Sequence, residues 1–432
     1  MEEIKDHSAI SIRQVGEQFY KELGERFVEY VPDPLPRYRF IIPLAPKFLA
    51  LFSRDKLFRE ELFALSASAK DNLASLEQIL SFRLYEDLAL SDLLRFQKFF
   101  GFFCAYATAH LTKVLPENRP IVFESLVPRL QLNELVDLLA QIMPRDKALK
   151  AVTFLSWSPD SARVFDIQYQ PLLSLDGIIT IPMNILVSSN IIRNSLQLAR
   201  ERIHSGDAHD PLSPEIAALL ETAGWPTCIK LSYSFSDSHG ELDVVTYTGD
   251  ALFIFECKNT LHPCNVYEIR TSFDHIKRAS EQLTRFLALW ANPAFQRYLS
   301  ALTGWSFSSE LPAFTCIITG NRMFTGYRIN RHPVRSVFEL RGFVTEGTVQ
   351  VADQVRRFWK SERITPDDLR SYLMDDILHK PQFDSMKRIL HSYHLGDHTV
   401  HEEWYVLDML EGVKNLGFDI SKIPLPDINE QV

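Results

Sequence analysis

Apolar positions recur at helical spacing over roughly the first 150 residues, then switch to short alternating or continuous runs, then return to helical spacing near the end. HSAISIRQVGEQFYKELGERFVEY reads as a helix ended by the proline-rich VPDPLPRYRF, and a mostly helical run follows from Arg54 to Val114. Its aromatic stripe, Phe96, Phe99, Phe100, Phe102 and Phe103, is read as core. Another helix is expected over Leu132 to Met143, giving a helical N-terminal region over 1–150. From Ala151, AVTFLSW, VFDIQY and GIITIPMNIL read as strands separated by turns at Ser158-Pro159-Asp160 and Asp176-Gly177. SSNIIRNSLQLARERI is a helix with good capping residues at its start, so 151–204 forms a β-rich segment and a connecting helix.

SGDAHDPLSP is a polar connector that places a domain boundary near 205. Beyond it come a helix opened by Ser213-Pro214, a strand over TCIKLSYSF, two more strand-like runs, a helix from about Ile269 to Leu289 and a buried strand FTCIITG. The predicted class is therefore α+β or α/β, a mixed β-sheet core over 205–345 flanked by helices. Residues 346–432 are expected to form a helical, acidic C-terminal cap; Ser336 to Val432 hold 17 acidic against 11 basic residues.

The chemistry concentrates in GELDVVTYTGDALFIFECKN, Gly240 to Asn259. Val244 to Tyr247 and Ala251 to Phe255 flank a Thr-Gly-Asp turn, the pattern of a tight hairpin. With Gly249 and Asp250 as the loop, Tyr247 falls opposite Leu252, and the ladder carries Asp243 to Glu256 and Glu241 to Lys258. Side chains two apart share a face, so these four charges cluster on one face with cross-strand Cβ atoms about 5 Å apart. Two carboxylates facing each other on a strand as apolar as ALFIF need a counter-charge. Mg²⁺, which favours carboxylate and carbonyl oxygens and keeps several waters, supplies one. Lys258 then stands where it orients or helps to deprotonate an attacking water. A cross-strand salt lattice of Glu241 with Lys258 is the plainer alternative, but it leaves Asp243 facing Glu256 uncompensated.

An Asp on one strand followed by Glu-x-Lys on the next resembles the PD-(D/E)XK nuclease superfamily, over about 205–340 only. The resemblance implies a restriction endonuclease-like core and Mg²⁺ or Mn²⁺ held by Asp243, Glu256 and the backbone carbonyl of Cys257. It implies that Lys258 positions the water, that Glu215 on the preceding helix supports the site with Glu221 as second choice, and that Gln282 reaches it from the following helix. Leu242 stands where the motif's proline would precede Asp243, and Phe286 where a tyrosine sometimes follows the glutamine. The activity implied is phosphodiester hydrolysis, of DNA before RNA. The alternative is an inactive nuclease-like scaffold that binds nucleic acid or protein, and a third is a hydrolase of smaller phosphodiesters.

Charge and composition adjust this reading only locally. A net charge of -9 excludes a protein that coats nucleic acid over its whole surface, yet NRMFTGYRINRHPVR carries Arg322, Arg328, Arg331 and Arg335 without an acid. These arginines, interleaved with Phe324 and Tyr327, are the expected nucleic-acid contacts. Five cysteines without a CxxC pair point to a reducing compartment and no zinc module. The N-terminus has no signal-peptide pattern, FIIPLAPKFLALF is broken by prolines and a lysine, and FFGFFCAYATAHL is too short to span a bilayer. A cytoplasmic location without a membrane partner is expected, with self-association or a protein partner at the helical terminal regions. HSYHLGDHTVHEEW brings four histidines together, but Gly396 separates the pairs and no HExxH order is present.

Overall fold

The computed structural model describes residues 10–423 apart from 42–44, 73, 162–163, 204–209 and 309. It divides into two units, Met1–Asp207 and Ala208–Val432. In both, helices pack with mixed sheets, none of them closed into a barrel.

The first unit is organised on two helices, α1 (Ile12–Leu23) and α2 (Leu90–Leu111). Ser11 and Gln14 close a capping box at the start of α1. The five phenylalanines read as core are all buried on α2. Gly16 of α1 sits so close to α2 that a Cβ there would lie 2.6 Å from that of Ala105. The mostly helical run expected from Arg54 to Val114 holds the helices Arg59–Asn72, Leu76–Ser81 and α2, with a small hairpin, Arg83–Tyr85 with Leu88–Ala89, ahead of α2. Of the β-rich segment, Ser156–Trp157, Leu172–Leu175 and Ile178–Thr180 are strands, whereas the rest of AVTFLSW ends the helix Arg145–Leu155, Met183–Ser188 is helical and VFDIQY joins no sheet. Among the described residues no helix is long and apolar enough to cross a membrane.

The second unit carries a six-stranded sheet. Its strands are β1 (Thr227–Phe235), β2 (Ser238–Tyr247), β3 (Leu252–Lys258), β4 (Ala313–Thr319), β5 (Arg328–Ile329) and β6 (His332–Ser336), in spatial order β5-β6-β4-β3-β2-β1. β1, β2 and β3 form an antiparallel meander, and β4 joins β3 in parallel. That parallel step uses a crossover through α4 (Val266–Trp290) and α5 (Pro293–Thr303), as parallel neighbours require. Ahead of the sheet lies α3 (Leu212–Thr222), and after it α6 (Val337–Thr345) and α7 (Pro366–Met374). Ile276, Ala279, Leu283, Phe286 and Trp290 of α4 share a core cluster with Val245, Leu252 and Ile254, so α4 covers the face on which the even-numbered residues of β3 stand.

His332 of β6 is part of this packing. It is 2% exposed, with Nδ1 2.6 Å from Thr315 Oγ1 and Nε2 2.9 Å from Thr284 Oγ1. The Thr284 hydroxyl donates to the Ser280 carbonyl, so Nε2 donates to Thr284 and Nδ1 accepts from Thr315, a neutral imidazole. Burial accordingly holds its pKa below the ordinary value of 6.5. The unfolded chain then binds the proton more readily. This contribution to stability is complete above pH 6.5 and is lost as pH falls below it, by up to about 1.4 kcal/mol per pH unit. Urea titrations between pH 7 and 5 should show this slope for the native chain and a flatter one for His332→Gln; equal slopes would remove the histidine from the acid response.

The C-terminal region departs from its helical expectation. Besides α7 it contains the hairpin Thr348–Val351 with Gln354–Arg357, and a long ribbon of β7 (Met386–Leu395) and β8 (His398–Leu407). The histidine-rich run is thus strand, turned by Gly396 at φ 61°.

Candidate functional site

The hairpin forms in the expected register. Tyr247 pairs with Leu252 and Val244 with Phe255, and Thr248 N–H donates to the Ala251 carbonyl across the Gly249-Asp250 loop. The registered pairs end at Val244 and Phe255, and Asp243 then closes the ladder with its side chain, Oδ2 accepting from Cys257 N–H at 2.7 Å. A strand residue sends its N–H and C=O to the same side, so the Cys257 carbonyl leaves β3 toward Asp243. Glu256 and Lys258 alternate with Cys257 and stand on the α4 face, Lys258 Nζ lying 2.6 Å from Glu256 Oε1.

Glu256 is 2% exposed, and its Oε2 is buried without a hydrogen-bond partner among the described residues. Burial first, and the charge of Asp243 second, push its carboxyl up to about 7 against the attraction of Lys258. Asp243, half-buried, is also raised, chiefly by burial and with the charges of Asp210 and Glu241 adding to it; the Cys257 N–H and Lys258 oppose the shift. Two carboxylates that cannot comfortably ionise together, one with an idle oxygen, lack a counter-charge that a cation could supply. Among the described residues no group of three or more His, Cys, Asp or Glu side chains makes a ready cage. Two carboxylates and one carbonyl are the oxygen donors Mg²⁺ favours, the remaining positions being left to water. Glu256 Oε2 and Asp243 are the groups that fit it.

Other expected residues lie elsewhere or act differently. Glu215 on α3 pairs with Arg341 of α6, so its carboxylate is already engaged. The nearer acid is Asp210, ahead of α3, which accepts from Leu212 N–H and from the Ser213 hydroxyl and acts on both Asp243 and Cys257. Glu221 is exposed, and Glu241 accepts from the Ser232 hydroxyl at 3.2 Å. The Cys257 side chain is buried on the face opposite the carboxylates, and burial raises its thiol pKa.

Gln282 is half-buried on α4 and does not stand alone there. His275, Arg278, Gln282 and Arg285 follow one another at intervals of three, four and three, a single stripe beside the apolar one. Burial, then Arg278 and Lys258, hold the His275 imidazole below its ordinary value, while Tyr233 of β1 feels both Arg285 and Glu256. The stripe therefore lies within electrostatic reach of the charged strand ends. Its spacing was visible in the sequence next to the apolar positions of the same helix.

The arginine run is corrected by its partners. Arg335 is 0% exposed and binds Asp376 together with the Tyr372 carbonyl at 3.1 Å. Arg328 Nε lies 2.6 Å from the other oxygen of Asp376 and its Nη2 reaches the Leu373 and Met374 carbonyls at the end of α7. Both arginines fasten α7 to the sheet and are withdrawn from any ligand. Arg322 and Arg331 are exposed, Arg322 over the Phe338 ring at 5.2 Å.

Comparison of the chain with protein-family models, with curated proteins and with solved structures finds no match in any of the three.

Proposed function

We propose that the protein is a metal-dependent nuclease that hydrolyses phosphodiester bonds, of DNA before RNA, with a restriction endonuclease-like core over about 205–345. The observation that carries this reading is the buried, unpartnered Oε2 of Glu256, whose carboxyl also feels the charge of Asp243; a divalent cation would satisfy that oxygen. The meander of β1 to β3, the helical crossover and the parallel β4 are the sheet order such a core needs. Asp243, Glu256 and the Cys257 carbonyl would hold Mg²⁺ or Mn²⁺, which when bound acts as a Lewis acid on a phosphate oxygen and lowers the pKa of water.

The chain's own residues supply the rest. Were Glu256 to hold a cation, the Lys258 ammonium, two residues along the same strand, would be free of its ion pair and could donate to the attacking water or to the phosphate. Arg278 and Arg285 give the approach to the site a positive lip on a chain that is acidic overall, and a phosphate backbone fits along α4 in preference to Arg328 and Arg335, which are held by Asp376. Gln282 sits between them and would orient the same backbone.

Supercoiled plasmid incubated with Mg²⁺ or Mn²⁺ is expected to be nicked or linearised by the native chain, to survive in chelator, and to be cut at least about 100-fold more slowly by Lys258→Ala or Asp243→Ala. Cleavage that persists in both variants would sink the assignment. An inactive scaffold draws support from the absence of a third acidic ligand among the described residues. Calorimetry separates the two, because the scaffold has no Mg²⁺ affinity for Glu256→Gln to remove.

A further inference from the structure

The β7–β8 ribbon carries an interaction surface that the nuclease reading does not use. Its strands are ten residues each, and every position but the last of β8 is exposed. A free two-stranded hairpin is marginal in water, so a ribbon this long and this bare calls for a cover. Alternation sorts its two faces. One is mixed and carries the Arg388–Glu403 ion pair. The other gathers Ile389, Tyr393, Leu395, Val400, Trp404 and Val406, with Leu395 64% and Trp404 48% exposed and with Lys387 and His398 at its two ends. At the centre of that apolar face the register sets His391 opposite Glu402.

We propose that this face docks on the same face of a second copy of the chain. The register makes the face complementary to itself. A two-fold axis running along the ribbon lays β7 over β8 of the partner subunit. His391 then meets Glu402 of the partner subunit, and Ile389 and Tyr393 meet the partner's Trp404 and the partner's Val400, each contact occurring twice. An imidazole N–H against a carboxylate gives the centre a polar pair inside an apolar surround. Nucleic acid is a poor occupant, because Lys387 and Arg388 are outnumbered by Asp397, Glu402 and Glu403 along the ribbon.

Strands of this length run about 33 Å. The strip on each copy is on the order of 350 Å², well below the roughly 800 Å² per partner of a standard interface, so the dimer is weak and concentration-dependent.

Sedimentation of the full chain from roughly 1 to 200 µM tests this in the range such interfaces occupy. The native protein should move from monomer to dimer. Trp404→Lys and Glu402→Lys should each shift the midpoint at least about tenfold upward, or about 1.4 kcal/mol. The charge exchange His391→Glu with Glu402→Lys should bring it back, because it restores the paired charges in the docked face with their signs reversed. Circular dichroism confirms that the variants fold, and since these side chains are exposed, the second unit's core is untouched. The proposal is overturned if the native chain stays monomeric throughout, if its dimer ignores both single variants, if the exchange fails to restore it, or if the ribbon variants alter only binding to lipid vesicles or to DNA.

Discussion

Replacing Glu256 by glutamine is expected to make the metal-free protein more stable at pH 8 and at the same time to abolish cleavage. The sign follows from the raised carboxyl. Burial and Asp243 place the folded value at about 7, above the ordinary 4.5, so the contribution of Glu256 to stability is complete below 4.5 and is lost as pH rises through 7. At pH 8 the native carboxylate is ionised in a place that disfavours it, and an amide of the same shape removes that penalty. Lys258 loses its partner in the exchange, but it is 21% exposed and regains water. The net gain is on the order of 1–3 kcal/mol. That corresponds to a rise of roughly 2–4 °C in melting temperature per kcal/mol for a domain of this size. If Glu256 holds Mg²⁺ as proposed, the ion should reverse the order, stabilising the native chain by binding its folded state and leaving the glutamine variant unmoved. The measurement is differential scanning fluorimetry at pH 5 and pH 8 with and without Mg²⁺. A variant that melts lower at both pH values, with its Mg²⁺ response intact, would show that Glu256 serves only as the ion-pair partner of Lys258.

Asp376→Ala is expected to have the largest effect on folding. It leaves Arg335, with no exposure at all, facing backbone carbonyls and the carboxylate of Glu339 at 4.0 Å. It also removes the carboxylate that Arg328 shares. Breaking one side of a buried pair costs about 3–5 kcal/mol, because the remaining charge stays desolvated, whereas replacing the whole pair by apolar residues is often neutral. Chemical denaturation should therefore show a loss of that size for Asp376→Ala and recovery of at least half of it when Arg335→Met is added. A double variant no better than the single one would mean that Arg335 contributes through its carbonyl contacts alone.

These two sites mark what the sequence does and does not disclose. The hairpin was legible because its determinants are local: a Gly-Asp loop, β-branched runs, and a register that follows from counting. Glu256 and Lys258 fall on one face by the same count, whereas the count did not show that Asp243 would turn its side chain to the Cys257 N–H. The arginine run misled because its acid lies far along the chain. Asp376 is 41 residues from Arg335 and 48 from Arg328, and no spacing rule connects them. Glu215 misled for the same reason: its partner Arg341 lies 126 residues on. The C-terminal ribbon was missed because its histidines, three apart, match a helical period, whereas the strand shows only in the pairing of 386–395 with 398–407.

The two-residue loop of the β2–β3 hairpin also sets the moment at which the carboxylates meet. A hairpin closes within microseconds, while the pairing of β3 with β4 waits for α4 and α5 to form and for a long stretch of chain to close. Asp243 and Glu256 therefore come together while water still screens them, and their repulsion grows only when α4 docks and shuts the solvent out. A penalty that arises so late leaves the folding rate almost untouched and shortens the lifetime of the native state instead. A cation bound at the strand ends would hold the finished sheet closed, acting as a brake on unfolding.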